Sequence, residues 1–134
     1  MPDPWQHPDT EARPSSVAGR GLFATAALPA GTTVLRLVGD DLGTLNHGCD
    51  PNLGWVDDDT LETLREVAAD EELLVDYAMS ITDPSFFLRC HCPSYRCRQM
   101  VEGTDWQIPQ LQQRYAGHWA PRVQRLIDAK GSPE

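Results

Sequence analysis

A mainly β domain, stapled by a cysteine cluster and closed by a short helical hairpin, is the fold this sequence predicts. Three observations carry that reading. Short apolar and β-branched runs bounded by glycine, proline or aspartate recur through the first half of the chain. Three cysteines, Cys90, Cys92 and Cys97, crowd one loop. Beyond Gly103 the apolar residues change to three- and four-residue spacing, the period of a helix.

The bulk properties bound the rest. At 134 residues the chain has the length of one domain. A chain of that size buries about two-thirds of the surface its unfolded state exposes. Hydrophobic residues make up 40 % and include four tryptophans, which places the chain among globular rather than disordered proteins. No apolar run approaches the ~20 residues of a membrane span. The start, Met1-Pro2-Asp3-Pro4-Trp5, lacks a basic-then-apolar leader, so the expected compartment is cytoplasmic. Net charge is −9, with 20 acidic residues against 11 basic ones. A phosphate-backbone binder needs a basic face, so nucleic acid is not an expected partner. An acidic surface keeps the chain soluble or draws basic partners such as lysine-rich peptides.

Residues 1–16 are rich in Pro, Asp and Ser and read as a mobile tail on which Trp5 docks. Gly19-Arg20-Gly21-Leu22-Phe23-Ala24 is a glycine pair ahead of an apolar run: a tight turn between strands, or a place where a ligand approaches the main chain. Leu28 to Val38 reads as a turn at Pro29 and Gly31 followed by a strand, which Gly39-Asp40-Asp41 ends. Leu53 to Asp59 reads as a loop whose three aspartates lack the spaced ligands of a calcium site.

Thr60 to Tyr77 supports two readings. Leu61, Leu64, Val67 and Ala68 fall at helical spacing. Yet Val67-Ala68-Ala69-Asp70-Glu71-Glu72-Leu73 repeats the layout of Leu28-Pro29-Ala30-Gly31-Thr32-Thr33-Val34. Aspartate shares some of glycine's tolerance for left-handed backbone. Two similar strand-turn-strand units are therefore expected, the second ending in Leu73-Leu74-Val75 before Asp76-Tyr77. Ser80 to Ser85 reads as loop, and Phe86-Phe87-Leu88 as an apolar patch feeding the cysteines. Pro109 to Tyr115 and Pro121 to Ala129 are the expected helices, each opening on a proline, with Gly131-Ser132-Pro133 ending the second.

Cys90-His91-Cys92-Pro93-Ser94-Tyr95-Arg96-Cys97 offers three thiols at short spacing. Tetrahedral zinc wants four soft ligands, and the one remaining cysteine is Cys49. Zinc on Cys49, Cys90, Cys92 and Cys97 is the leading reading. Substitution of His91 for one thiol, or two disulfides, are its alternatives. Cys49 sits inside Asn46-His47-Gly48-Cys49-Asp50-Pro51-Asn52, a stretch too rich in chemistry for an ordinary turn. Asn46 and His47 read equally as a satisfied buried network or as holders of a polar ligand. Tyr77, at a strand end, is a core ring unless its hydroxyl faces the same cavity as Asn46.

The glycine pair at Arg20-Gly21, the Asn-His-x-Cys-x-Pro-Asn stretch at 46–52, Glu72-Leu73-Leu74-Val75-Asp76-Tyr77 and Cys-x-Cys-x4-Cys occur in one order. That order resembles the SET-domain protein-lysine methyltransferases and covers most of Val17 to Arg98. The resemblance implies a β-clip with a pseudoknot, divided as a minimal SET core at 17–88, a post-SET zinc segment at 89–103 and a helical segment at 104–134. It implies S-adenosyl-L-methionine held by the backbones of Arg20-Gly21 and Asn46-His47, with Leu22, Tyr77 and His91 also in the cofactor site and Tyr77 as the catalytic residue. It implies structural zinc on the same four cysteines. The expected reaction is in-line methyl transfer from the sulfonium to a neutral amine, in which alignment supplies most of the catalysis.

Two departures from the family pattern set the expected substrate. Only Asp40 to Leu45 remain where most members carry a long insert that walls the peptide groove. Leu37-Val38-Gly39-Asp40 stands where Tyr-x-Gly-Glu is frequent. The expected partner is a lysine-bearing protein or peptide, or a small amine, and a homodimer would rebuild the wall in trans. A non-catalytic zinc-stabilised binding module is the competing class.

Overall fold

A computed structural model of the chain describes residues 4–38 and 42–131. The expected strand end at Gly39-Asp40-Asp41 and the terminal Ser132-Pro133 lie outside the described residues, and with them Asp40 and Asp41 of the shortened insert. Within the described residues the protein is mainly β, with three sheets and two short α-helices. None of the helices is long and apolar enough to cross a membrane.

One four-stranded sheet runs in the order β1 (Trp5–Gln6), β4 (Thr33–Arg36), β7 (Thr60–Thr63), β6 (Leu53–Trp55). A second runs β2 (Thr10–Pro14), β3 (Arg20–Ala24), β8 (Glu72–Val75), β5 (Asn46–His47). A hairpin of β9 (Phe87–Arg89) and β10 (Met100–Glu102) forms the third. The two units inferred from the repeated layout exchange partners: β3 pairs with β8, and β4 with β7. They meet where Leu28 and Val67 form an antiparallel bridge, each amide donating to the other's carbonyl at 2.8 and 2.9 Å. Both corners are left-handed, Gly31 at φ 79° and Asp70 at φ 69°. Their amides make equivalent bonds, Gly31 to the Thr63 carbonyl and Asp70 to the Ala24 carbonyl. The helical spacing of Leu61, Leu64 and Val67 is thus overridden by strand pairing, as tertiary context commonly does.

Two expectations are corrected. Residues 4–16 are not a mobile tail: β1 pairs antiparallel with β4, and all five residues of β2 pair with β3. Polar composition hid these strands because both sit at sheet edges, where one flank faces water. Leu53 to Asp59 is only half loop, since Leu53, Gly54 and Trp55 form β6, all buried. The aspartates at 57–59 make the exposed turn to β7.

Leu22, Leu28, Val34, Leu61, Val67 and Leu73 fill the main core from both units. The helices α1 (Pro109–Arg114) and α2 (Pro121–Gly131) close it with Leu111, Tyr115, Trp119 and Val123. Proline opens both helices, where its missing N–H leaves no bond unmade. Leu126 shares the helical spacing but points to solvent. Of the four tryptophans, Trp5 alone is exposed, at 39 %.

Candidate metal centre and adjoining cleft

The 46–52 segment lies along β8. Asn46 and His47 run parallel to it, opposite Leu74 and Val75. Asn52 then grips the same strand, its side chain accepting from the Leu74 amide at 2.8 Å and donating to the Glu72 carbonyl at 2.9 Å. Gly48 permits this close passage, because a Cβ there would stand 2.9 Å from Leu74 Cδ1. The result is that Cys49 is carried, fully buried, to the mouth of the β9–β10 hairpin.

That hairpin presents Cys90, Cys92 and Cys97 on its loop, closed by the Cys90 amide donating to the Gln99 carbonyl at 2.8 Å. Gln99, at φ 64°, turns the chain back into β10. The four sulfurs lie within 4.8 Å of one another, and all four are free thiols. Cys49 and Cys90 Sγ are 3.9 Å apart. A tetrahedral zinc with sulfurs at about 2.3 Å would hold them about 3.8 Å apart, so the donor set fits such an ion. His91 is exposed and stands outside the group, and a disulfide framework is not formed. Burial pushes the Cys49 thiol up to about 11 and the Cys90 thiol higher still. Amide hydrogen bonds hold Cys92 below the ordinary thiol value against its own burial. Without a cation, four ionised sulfurs here would repel one another in a poorly solvated corner; a divalent ion reverses that balance.

Behind the cysteines lies a charged network that the sequence reading missed. Asp76 is fully buried, and its carboxylate accepts from Arg98 Nη1 and Nη2 at 2.7 and 3.0 Å, Tyr115 Oη at 2.8 Å and the Ala78 amide at 2.9 Å. Burial raises its pKa, but the Arg98 guanidinium outweighs burial and holds the carboxyl below the usual range. Arg98 reaches Asp105 as well, at 3.1 Å. The signal available in the sequence was small: an arginine directly after the last cysteine and an aspartate directly before Tyr77.

Asn46, His47, Tyr77 and His91 line one cleft of about 90 Å³, together with Leu88 and Cys90. Arg20, Gly21 and Leu22 do not line it. Arg20 donates to the Ala12 carbonyl at 3.0 Å, and Leu22 is a core residue. Gly21 makes its close approach to Glu72, whose carboxylate a Cβ would meet at 2.0 Å. Asn46 Nδ2 is committed within the protein, donating to the Ala18 and Arg20 carbonyls and to Glu72 at 2.9 to 3.1 Å. Tyr77 is half-buried, burial raises its pKa, and its hydroxyl donates to the Leu45 carbonyl. His47 is buried and pushed down to about 4, chiefly by burial, so its ring is neutral.

No protein-family model matches the chain, and no curated protein matches it.

Proposed function

We propose that the chain is a minimal SET-type methyltransferase that transfers a methyl group from S-adenosyl-L-methionine to an amine. The observation that carries this reading is the Tyr77 hydroxyl. Tyr77 lines a cleft with Asn46, His47 and His91, and its hydroxyl spends its proton on the Leu45 carbonyl. Only lone pairs then remain for the cleft. An oxygen that can only accept suits an incoming amine N–H and the polarised C–H of a methyl group on sulfur.

The donor set fits the methyl donor in part. Asn46 and His47 would meet it through their backbones, since Asn46 Nδ2 already has three acceptors. The exposed His91 ring and Leu88 would flank its base from the hairpin. The expected contacts of Arg20 and Gly21 are those of the main chain. When bound, the donor supplies the electrophilic methyl, and the chain orients and desolvates it. The parallel run of Asn46-His47 along β8, followed by Asn52 across the same strand, supports the pseudoknot of the family. Zinc would hold Cys49 to the hairpin as a closed structural site. The net charge of −9 favours a lysine-bearing or other cationic partner.

Calorimetric titration with S-adenosyl-L-methionine tests the donor. Saturable binding is expected, and none at millimolar ligand would sink the enzyme reading in favour of a binding module. Labelled-methyl transfer into a lysate, separated into protein and small-molecule fractions, assigns the acceptor. Tyr77→Phe should cut that transfer about tenfold or more, as loss of an aligning contact does. Unchanged transfer would remove Tyr77 from the catalytic role.

A further inference from the structure

Two hydrogen-bonded paths leave the Cys49 sulfur and converge on the Asp76–Tyr77 peptide. In the first, the Tyr77 amide donates to His47 Nδ1 at 3.0 Å, and the opposite ring nitrogen, Nε2, stands 3.2 Å from Cys49 Sγ. An amide N–H can only donate, so Nδ1 carries no proton and the ring's proton sits on Nε2. The nearest alternative partner of Nδ1, Asp76 Oδ1 at 3.6 Å, is beyond hydrogen-bond range. That oxygen already accepts from Arg98 and the Ala78 amide. The imidazole therefore points its one N–H at the sulfur. In the second path, the Arg98 amide donates to the same sulfur at 3.3 Å, while its guanidinium grips the Asp76 carboxylate through two bonds.

We propose that His47 is a positioning residue: it donates to the Cys49 sulfur and accepts from the Tyr77 amide, so that the metal centre sets where Tyr77 stands in the cleft. Arg98 holds the adjoining Asp76 in parallel. The geometry fits a thiolate ligand, which takes N–H donors readily and needs them when buried beside a dication. The role of Tyr77 in methyl transfer rests on the function proposed above; the relay itself does not. Asn46, on the same short strand as His47, directs its side-chain amide to Ala18, Arg20 and Glu72 instead.

Nuclear magnetic resonance on the full chain, loaded with spin-active cadmium in place of zinc, tests the relay. Scalar coupling should pass from cadmium through Cys49 Sγ to the His47 Nε2 proton and to the Arg98 amide proton. Exchanging zinc for cadmium should move the Tyr77 amide resonance. In His47→Asn, which keeps an acceptor near Nδ1 and has no donor at the Nε2 position, that movement should fall by about half or more, the Arg98 path carrying the rest. In His47→Gln, which keeps a donor toward the sulfur, cadmium coupling should persist at the new side chain. Absence of coupling at the His47 ring in the natural chain would overturn the proposal. So would a Tyr77 response that is unchanged in His47→Asn. If either variant fails to load metal, the natural chain's coupling alone decides. Neither readout uses a methyl donor, so the relay and the methyltransferase reading stand or fall separately.

Discussion

Laying Leu28 on Val67 in sequence also aligns Leu22 with Leu61, Gly31 with Asp70 and Val34 with Leu73. Each apolar pair is buried in the shared core, and each corner is left-handed. The two units fold by one plan until their last strand ends. The first then releases Leu37 and Val38, the latter 63 % exposed. At the matching positions the second delivers Asp76, fully buried, and Tyr77, which lines the cleft. Scaffold and chemistry are therefore separable here: repeated apolar positions build the frame, and polar groups brought from elsewhere in the chain specialise one exit.

The largest effect should come from stripping the metal. Structural zinc contributes about 10–16 kcal/mol in small zinc-finger peptides. Chelation, or Cys49→Ser, should release one zinc per chain. It should also abolish hydrogen-exchange protection in β9 and β10 while β3 and β4 stay protected. Equal loss in both exits would break the proposed separation.

Next comes the clamp. Arg98→Ala leaves the Asp76 carboxylate buried without its cation, a loss of about 3–5 kcal/mol by chemical denaturation. The pH dependence has a definite sign. Asp76 is depressed in the folded state, so its contribution is full above the unfolded carboxylate value and is lost as pH falls through the lower folded value. The acid limb of the stability profile should flatten in Arg98→Ala.

The paired core positions should then behave alike. Leu22→Ala and Leu61→Ala, at 2 % and 0 % exposure, should each cost about 2–5 kcal/mol and differ little from one another. A large asymmetry would show that one unit carries the fold. The smallest effect belongs to the corners. Gly31→Ala forces a side chain into left-handed backbone and should cost about 1 kcal/mol. Asp70→Gly relaxes the same conformation at the cost of an exposed pairing with Arg13, so its melting temperature should hardly move.

The frame was legible because it is repeated: the layout around Leu28 and Val67 predicted two strand-turn-strand units against a helical spacing that pointed the other way. The candidate metal-binding cluster was legible because four cysteines leave little choice of grouping. β1 and β2 were not, since edge strands with one wet flank carry polar, proline-containing sequence. Arg20 and Leu22 do not line the cleft, and the close approach at their glycine is to Glu72: a glycine-flanked segment says that something comes close, without saying what. The Arg98–Asp76–Tyr115 network was silent for a further reason. Its members are spread from 76 to 115, and a buried charge pair leaves no periodic trace.

Cys49 stands 41 residues ahead of Cys90, its nearest sulfur partner. At a synthesis rate of about 5–20 residues per second, Cys49 waits roughly 2–8 seconds before the hairpin loop has even been made. The early repeats can begin to assemble in that interval, with β3 and β4 already translated. Ion capture by these thiols would thus be a late checkpoint on the nascent chain. In a cell short of zinc, the shortage would be registered at the Tyr77 exit, on a molecule whose frame had otherwise formed.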